Sequence, residues 1–146
     1  YISRATHCPY ESFVNPKIVG QIAKDLFKMG CYEISLGDTT GKGTPTQTLE
    51  VVKECLKYLS ADKLAGHFHD TYQNALDNIN VCLENGIKTF DASVGGLGGC
   101  PYSPGAKGNV ATEKVNKLLL SKGYETNLDR DKLKECSLIA QKLILN

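Results

Sequence analysis

The stretch Ala65-Gly-His-Phe-His-Asp-Thr71 places two imidazoles two residues apart in a short apolar segment. Side chains alternate along a strand, so in an extended segment His67 and His69 leave one face and aim two nitrogen donors at one spot. Such a pair is either a metal-binding element or an ordinary surface or core pair, since histidine has many roles. Asp70 follows directly and is suited to orienting a ring or holding a metal-bound water. Further along runs Gly95-Gly-Leu-Gly-Gly-Cys-Pro-Tyr102, with Gly105 and Gly108 beyond it. These glycines allow close backbone approach and fit a mobile lid or an anion-facing loop, although the Lys-Ser/Thr ending of a phosphate loop is missing. Cys100 in that loop is either an acid/base or nucleophilic thiol or a tolerated small residue. At the loop's end Asn109 offers an amide oxygen that can complete a hard-cation site. Glu113 reads either as a carboxylate behind such a site or as a first-turn glutamate favoured by the helix dipole. Two imidazoles with oxygen donors and no thiolate suit Mg²⁺ or Mn²⁺ with positions left open for substrate. Asp38, in Gly37-Asp-Thr-Thr-Gly41, is either a turn aspartate capping its own backbone or a catalytic or metal-linked carboxylate.

The elements that must position these groups follow a repeating pattern. Tyr1 to Ala5 reads as a strand, left through a loop over Thr6 to Tyr10. Asn15-Pro16 gives an N-cap and an N1 proline, followed by Ile18, Val19, Ile22, Ala23, Leu26 and Phe27 at helical spacing, with Gly30 as the stop. Cys31 to Leu36 is the second strand and Gly37 to Gly43 its exit loop. Thr44-Pro45 repeats the cap-plus-proline signal before a helix carried by Leu49, Val51, Val52, Leu56 and Leu59. Lys63 to Phe68 is the third strand. Asp70 or Thr71 caps a third helix through Leu76, Ile79, Val81 and Leu83 that ends at Gly86. Ile87 to Ala92 is the fourth strand, Ser93 to Asn109 a long glycine loop, and helices over Thr112 to Lys122 and about Asp131 to Leu145 finish the chain.

Strand then helix, repeated with short connections, demands a parallel sheet with crossover helices. The strands mix polar and apolar residues, which suits a barrel with a partly polar interior better than a sheet buried on both faces. A (β/α)₈ barrel takes roughly 250 residues. The 146 residues here therefore predict an α/β chain forming the C-terminal half of a TIM barrel: four parallel strands with crossover helices plus a C-terminal helix. Residues 1–146 then make one partial barrel domain contributing strands 5 to 8. Cys8, Asp38, His67 with His69, and the glycine loop all fall at or beyond C-terminal strand ends, the face on which barrels build active sites.

Composition is that of an ordinary globular chain, with a formal net charge of +1 and mixed signs. That balance argues against a nucleic-acid surface, and no apolar run is long enough to cross a bilayer. The six cysteines stand singly, without a CxxC pair, and read as reduced thiols that mostly fill core positions. The chain opens at Tyr1 in strand pattern without an initiator Met, the expectation for a piece of a longer protein.

Three stretches together closely resemble the 3-hydroxy-3-methylglutaryl-CoA lyases: Gly30-Cys-Tyr-Glu-Ile-Ser-Leu-Gly-Asp-Thr39, His67-Phe-His-Asp-Thr-Tyr72 and Ser93-Val-Gly-Gly-Leu-Gly-Gly-Cys-Pro-Tyr102. The resemblance runs from Tyr1 to about Leu120. The cysteine-bearing loop is highly specific to that family, whereas the His-x-His element is shared with isopropylmalate and homocitrate synthases. The resemblance implies a TIM barrel that uses a divalent cation, Mg²⁺ or Mn²⁺, to cleave its acyl-CoA substrate to acetyl-CoA and acetoacetate. It implies a homodimer when full length, acting without nucleic acid or membrane, in the mitochondrial matrix of a eukaryote or the cytoplasm of a bacterium. His67 and His69 match the family's metal-ligand histidines, Asn109 its asparagine ligand, and Cys100 the catalytic cysteine of its mobile loop. Asp38 matches an aspartate implicated in activity, and Glu113 a glutamate beside the metal site. An arginine and an aspartate of the family's chemistry belong to the first strands, outside this chain, so the segment is not expected to turn over alone. Gln73 stands where the family usually has glycine, and Gly95 where alanine is common. Rival readings are a condensing synthase of the same superfamily and a non-catalytic half-barrel, whose two open edges would favour self-association.

Overall fold

Proline after a capping residue starts both of the first two helices. In a computed structural model, which describes residues 1–99 and 108–144, the Asn15 side chain accepts from the Lys17 N–H at the head of α1 (Pro16–Lys28). Thr44 and Gln47 form a reciprocal capping box at the head of α2 (Pro45–Cys55). The first strand, β1 (Ile2–Ser3), leads into a short antiparallel hairpin, β2 (His7–Cys8) against β3 (Ser12–Phe13). Thr6 to Tyr10 reads from sequence as a loop, because pairs this short carry no periodicity to detect.

The remaining strands are β4 (Ile34–Asp38), β5 (Leu64–Phe68) and β6 (Thr89–Asp91), joined through α2 and α3 (Ala75–Glu84). They form one parallel sheet in the order β1-β4-β5-β6. The strand placed at Cys31–Leu36 lies at Ile34–Asp38, so Gly37 and Asp38 belong to the ladder rather than to its exit loop. Helices α4 (Thr112–Ser121) and α5 (Arg130–Ile144) close the chain.

The third helix departs most from expectation. It begins at Ala75, without a side-chain cap, rather than at Asp70 or Thr71. The Asp70 carboxylate is engaged by the Lys114 ammonium at 2.9 Å, and its N–H donates to the Gly108 carbonyl at 3.0 Å. With those groups committed, the chain makes a turn through Gln73, at φ 64, before turning helical.

One face of the sheet carries Ile34, Leu36, Leu64 and Phe68 into a core completed by Val19 and Ala23 of α1, Val51, Val52 and Cys55 of α2, and Ile79 and Cys82 of α3. Cysteines fill that core less than expected. Cys55 and Cys82 are buried, Cys8 is half-buried, and Cys31 and Cys136 are exposed; all five are free thiols. No helix among the described residues is long and apolar enough to cross a membrane.

Candidate functional site

The register decides which side chains meet. Gly37, His67 and Asp91 are neighbours across β4, β5 and β6. Alternation then puts Ser35, His67 and Asp91 on the face turned away from the helices. The Ser35 hydroxyl donates to Asp91 Oδ2 at 3.2 Å, and His67 Nδ1 lies 3.9 Å from the same oxygen, too far for a hydrogen bond. Sequence reasoning passed over Ser35 and Asp91. Their signal was available: polar residues in phase with His67 on neighbouring strands.

His69 lies one residue past the end of β5 and is brought beside Asn109 by backbone pairing. Residues 108–110 run along the end of β5, with the Asp70 N–H donating to Gly108 O and the Val110 N–H to Phe68 O, each at 3.0 Å. Gly108 is required for this approach: at φ +90, a Cβ there would stand 2.1 Å from the Gly98 carbonyl oxygen. The two imidazole centroids are 5.4 Å apart, and Tyr1 stands edge-on to His67 at 5.8 Å. The Asn109 amide nitrogen donates to the Leu97 carbonyl at 2.8 Å, which fixes the amide flip and turns Oδ1 the other way.

Among the described residues, three buried atoms in this cluster have no hydrogen-bond partner: His67 Nδ1, His69 Nδ1 and Asn109 Oδ1. Burial of a polar atom costs free energy unless it is partnered, so three such atoms on neighbouring residues make this a candidate site for a further group. Burial pushes both histidine pKa values down, against the charges of Asp91 and Asp38 for His67 and of Asp38 for His69. Both rings therefore hold the neutral form that can donate a lone pair to a cation. Among the described residues no group of three or more His, Cys, Asp and Glu side chains is placed to hold a metal. The donor set is instead two imidazoles and one amide oxygen, which fits a divalent cation with several positions left for other donors.

Asp38 belongs to a different arrangement. Paired with Phe68, it sits on the helix-facing side of the sheet, opposite His67, and is only 1% exposed. Its carboxylate accepts from the Thr40 hydroxyl at 3.0 Å and from the Gly41 and Gly43 N–H groups at 3.1 and 2.8 Å. All three donors come from its own loop.

Glu113 lies at the head of α4 and faces the glycine turn. It accepts from the Gly95 N–H at 3.1 Å and from the Ser137 hydroxyl at 2.7 Å. Burial raises its pKa, but the Ser137 hydroxyl, the N–H groups of Glu113 and Gly95, and Lys114 outweigh it and hold the carboxyl below its ordinary value. Asp70, expected to orient a ring, pairs with Lys114 instead. Cys8 stands in the β2–β3 hairpin with its sulfur 3.8 Å from the Arg4 guanidinium. Cys100 lies outside the described residues.

A family model described as HMGL-like matches residues 2–139. The chain belongs to the HMGL-like family. Hydroxymethylglutaryl-CoA lyase of Pseudomonas mevalonii is 50% identical over 129 residues, 88% of this chain and 43% of that protein. The crystal structure of the HMG-CoA lyase from Brucella melitensis matches with a TM-score of 0.96 and 49% identity, covering 100% of this chain and 52% of that one. An HMG-CoA lyase from Acinetobacter baumannii, solved in complex with coenzyme A and 3-methylmalate, matches with a TM-score of 0.85 and 36% identity over 92% of this chain and 44% of its own. The chain thus spans about half the length, or less, of the relatives it matches. Its four parallel strands with crossover helices are half of the family's TIM barrel.

Proposed function

We propose that the complete protein carrying this segment is a divalent-metal-dependent carbon–carbon lyase that cleaves 3-hydroxy-3-methylglutaryl-CoA to acetyl-CoA and acetoacetate. The segment contributes strands 5 to 8 and most of the metal site, and the remaining donors come from the first half of the barrel. The observation that carries the reading is the trio of unpartnered buried atoms on His67, His69 and Asn109, in a chain whose relatives are named as lyases of this substrate. A site of two imidazoles completed by oxygen donors, free of thiolate, suits Mg²⁺ or Mn²⁺.

The reaction is a retro-Claisen cleavage. The tertiary hydroxyl gives its proton to a base supplied by the first half of the barrel, the bond from its carbon to the α-carbon of the thioester breaks, and the electron pair passes to the thioester enolate, whose carbon then takes a proton. When bound, the cation supplies Lewis-acid stabilisation of the charge that develops on the hydroxyl oxygen. His67 and His69 would hold the cation through ring nitrogens, and Asn109 would offer Oδ1, its nitrogen being tied to Leu97. Cys100 delivers the proton to the enolate carbon from its thiol. Glu113 and Asp70 keep their places behind the donors, through the glycine turn and through Lys114. The protein acts as a homodimer on an acyl-CoA substrate, in the mitochondrial matrix of a eukaryote or the cytoplasm of a bacterium.

The test follows acetoacetate release from 3-hydroxy-3-methylglutaryl-CoA by the complete protein with Mg²⁺ or Mn²⁺ and a thiol reductant. Acetoacetate whose release stops with a chelator supports the reading. Free thiol liberated instead from acetyl-CoA plus a 2-oxo acid would replace it with a condensing synthase. Cys100→Ala should lower kcat by about 100-fold if the thiol moves the proton, and a loss of a few-fold would reduce it to loop packing.

A further inference from the structure

A (β/α)₈ barrel is complete with its eighth helix, yet this chain adds α5 beyond α4. The packing of α5 ties it to the glycine turn rather than to the sheet. Gly95, at φ +66, lies so close to α5 that a Cβ on it would stand 2.8 Å from the Ala140 methyl carbon. Ser137, one turn earlier on the same helix and only 8% exposed, donates its hydroxyl to Glu113 Oε1 at 2.7 Å. The second oxygen of that carboxylate accepts the Gly95 N–H at 3.1 Å. The turn then continues through Gly96, whose N–H returns to Ser93 O at 3.0 Å, to Leu97, whose carbonyl holds the Asn109 amide nitrogen at 2.8 Å. The Asn109 N–H closes the path by donating to Gly98 O at 3.0 Å.

We infer that Ser137 is a positioning residue: through Glu113 and the 94–97 turn, the C-terminal helix sets the orientation in which Asn109 presents its free carbonyl oxygen to the metal position. The hydroxyl and the Gly95 N–H grip the two oxygens of one carboxylate from opposite elements. Without the serine the carboxylate keeps the N–H groups of Gly95 and Glu113 but loses its tie to α5, leaving turn and helix joined by packing alone, the close Gly95–Ala140 approach included. A partner bonded directly to a metal donor commonly tunes affinity by tenfold or more; Ser137 stands three contacts behind Asn109, so its effect is smaller. The inference rests on the reading of Asn109 as a metal donor.

The experiment uses the complete protein, with Ser137→Ala, Ser137→Thr and, as a control on the reading itself, His67→Ala. Two quantities are followed: Mn²⁺ affinity of the substrate-free protein by electron paramagnetic resonance, and deuterium uptake of the peptide spanning the 94–97 turn in the absence of metal. Ser137→Ala should weaken Mn²⁺ binding by about three-fold, less than loss of a directly bonded partner brings, and should speed uptake in the turn, while uptake in β4 and β5 stays unchanged. Ser137→Thr, which keeps the hydroxyl, should restore both. Unchanged uptake in the turn, or faster uptake with unchanged Mn²⁺ affinity while His67→Ala abolishes it, overturns the positioning role. Unchanged affinity in His67→Ala as well overturns both the metal reading and the inference built on it. Uptake that rises everywhere at once would mark Ser137 as a general packing residue and overturn the inference too.

Discussion

Two polar clusters sit at the same ends of adjacent strands and differ in what they do with their hydrogen-bonding capacity. The Asp38 carboxylate, on the helix side of β4, takes every donor it needs from Thr40, Gly41 and Gly43 of its own loop. On the other face of β5, His67, His69 and Asn109 each leave a buried atom without a partner among the described residues. A carboxylate satisfied by its own loop holds that loop in shape, whereas buried polar atoms left unpartnered can take up a further group. The face on which a carboxylate emerges at a barrel's C-terminal rim thus sets which groups it meets first.

Four substitutions or conditions separate the two clusters. The largest effect belongs to the open one: His67→Ala should weaken Mn²⁺ binding by the complete protein more than about 100-fold, beyond what loss of an outer partner brings. Retention of affinity within a few-fold, measured by metal titration, would erase the distinction. Asp38→Ala should instead cost about 2 kcal/mol of stability by denaturant unfolding, since it strands buried donors, with Mn²⁺ affinity of the folded protein little changed. Asp38→Asn, which keeps an acceptor, should fall between. If Asp38→Asn kept full stability and metal affinity but abolished turnover, Asp38 would rejoin the chemistry.

The packed side also carries a pH signature. Burial pushes the thiols of Cys55 and Cys82 from 9.0 up to about 12, with Glu54 adding to the rise for Cys55. The folded state therefore keeps protons that the unfolded state releases above about pH 9. The thiols' contribution should be flat below that value and fall by roughly 1 kcal/mol per thiol for each further pH unit, until the folded thiols ionise near 12. A Cys55→Ala/Cys82→Ala protein with an equally steep alkaline loss, followed by urea midpoints, would refute this cause. The smallest effect is expected at Gln73, a left-handed residue at φ 64 between the open site and α3. Gln73→Gly should raise stability by about 0.5 kcal/mol, because relief of the left-handed strain exceeds the added freedom of the unfolded chain. A drop in Mn²⁺ affinity in that variant would instead show that the strained turn helps hold His69.

Much of the architecture was legible. Asn15-Pro16 and Thr44-Pro45 announce their helices because both capping and a fixed φ are local effects, set within four residues. The His-x-His alternation was equally local. Where the sequence misled, distant groups had intervened. Asp70 looks like a helix cap until Lys114 and Gly108 claim its carboxylate and N–H, and α3 then starts later. Asp38 could be a cap or a catalyst on sequence alone, and a shift of the strand from Cys31–Leu36 to Ile34–Asp38 was enough to move it into the ladder and onto the helix face.

The βα repeat, the starts of the first two helices, the placing of His67 and His69 on one face, and the family follow from residue type at short spacing. Long-range packing is what pairs residues 108–110 with the end of β5 and so sets Asn109 beside His69, puts Asp91 and Ser35 on their shared face, and lets α5 grip the glycine turn through Ser137 and Glu113. Those are contacts between groups tens of residues apart. They exist because the register of a parallel sheet fixes relative height and face across strands, and neither quantity is written in any one stretch of the chain.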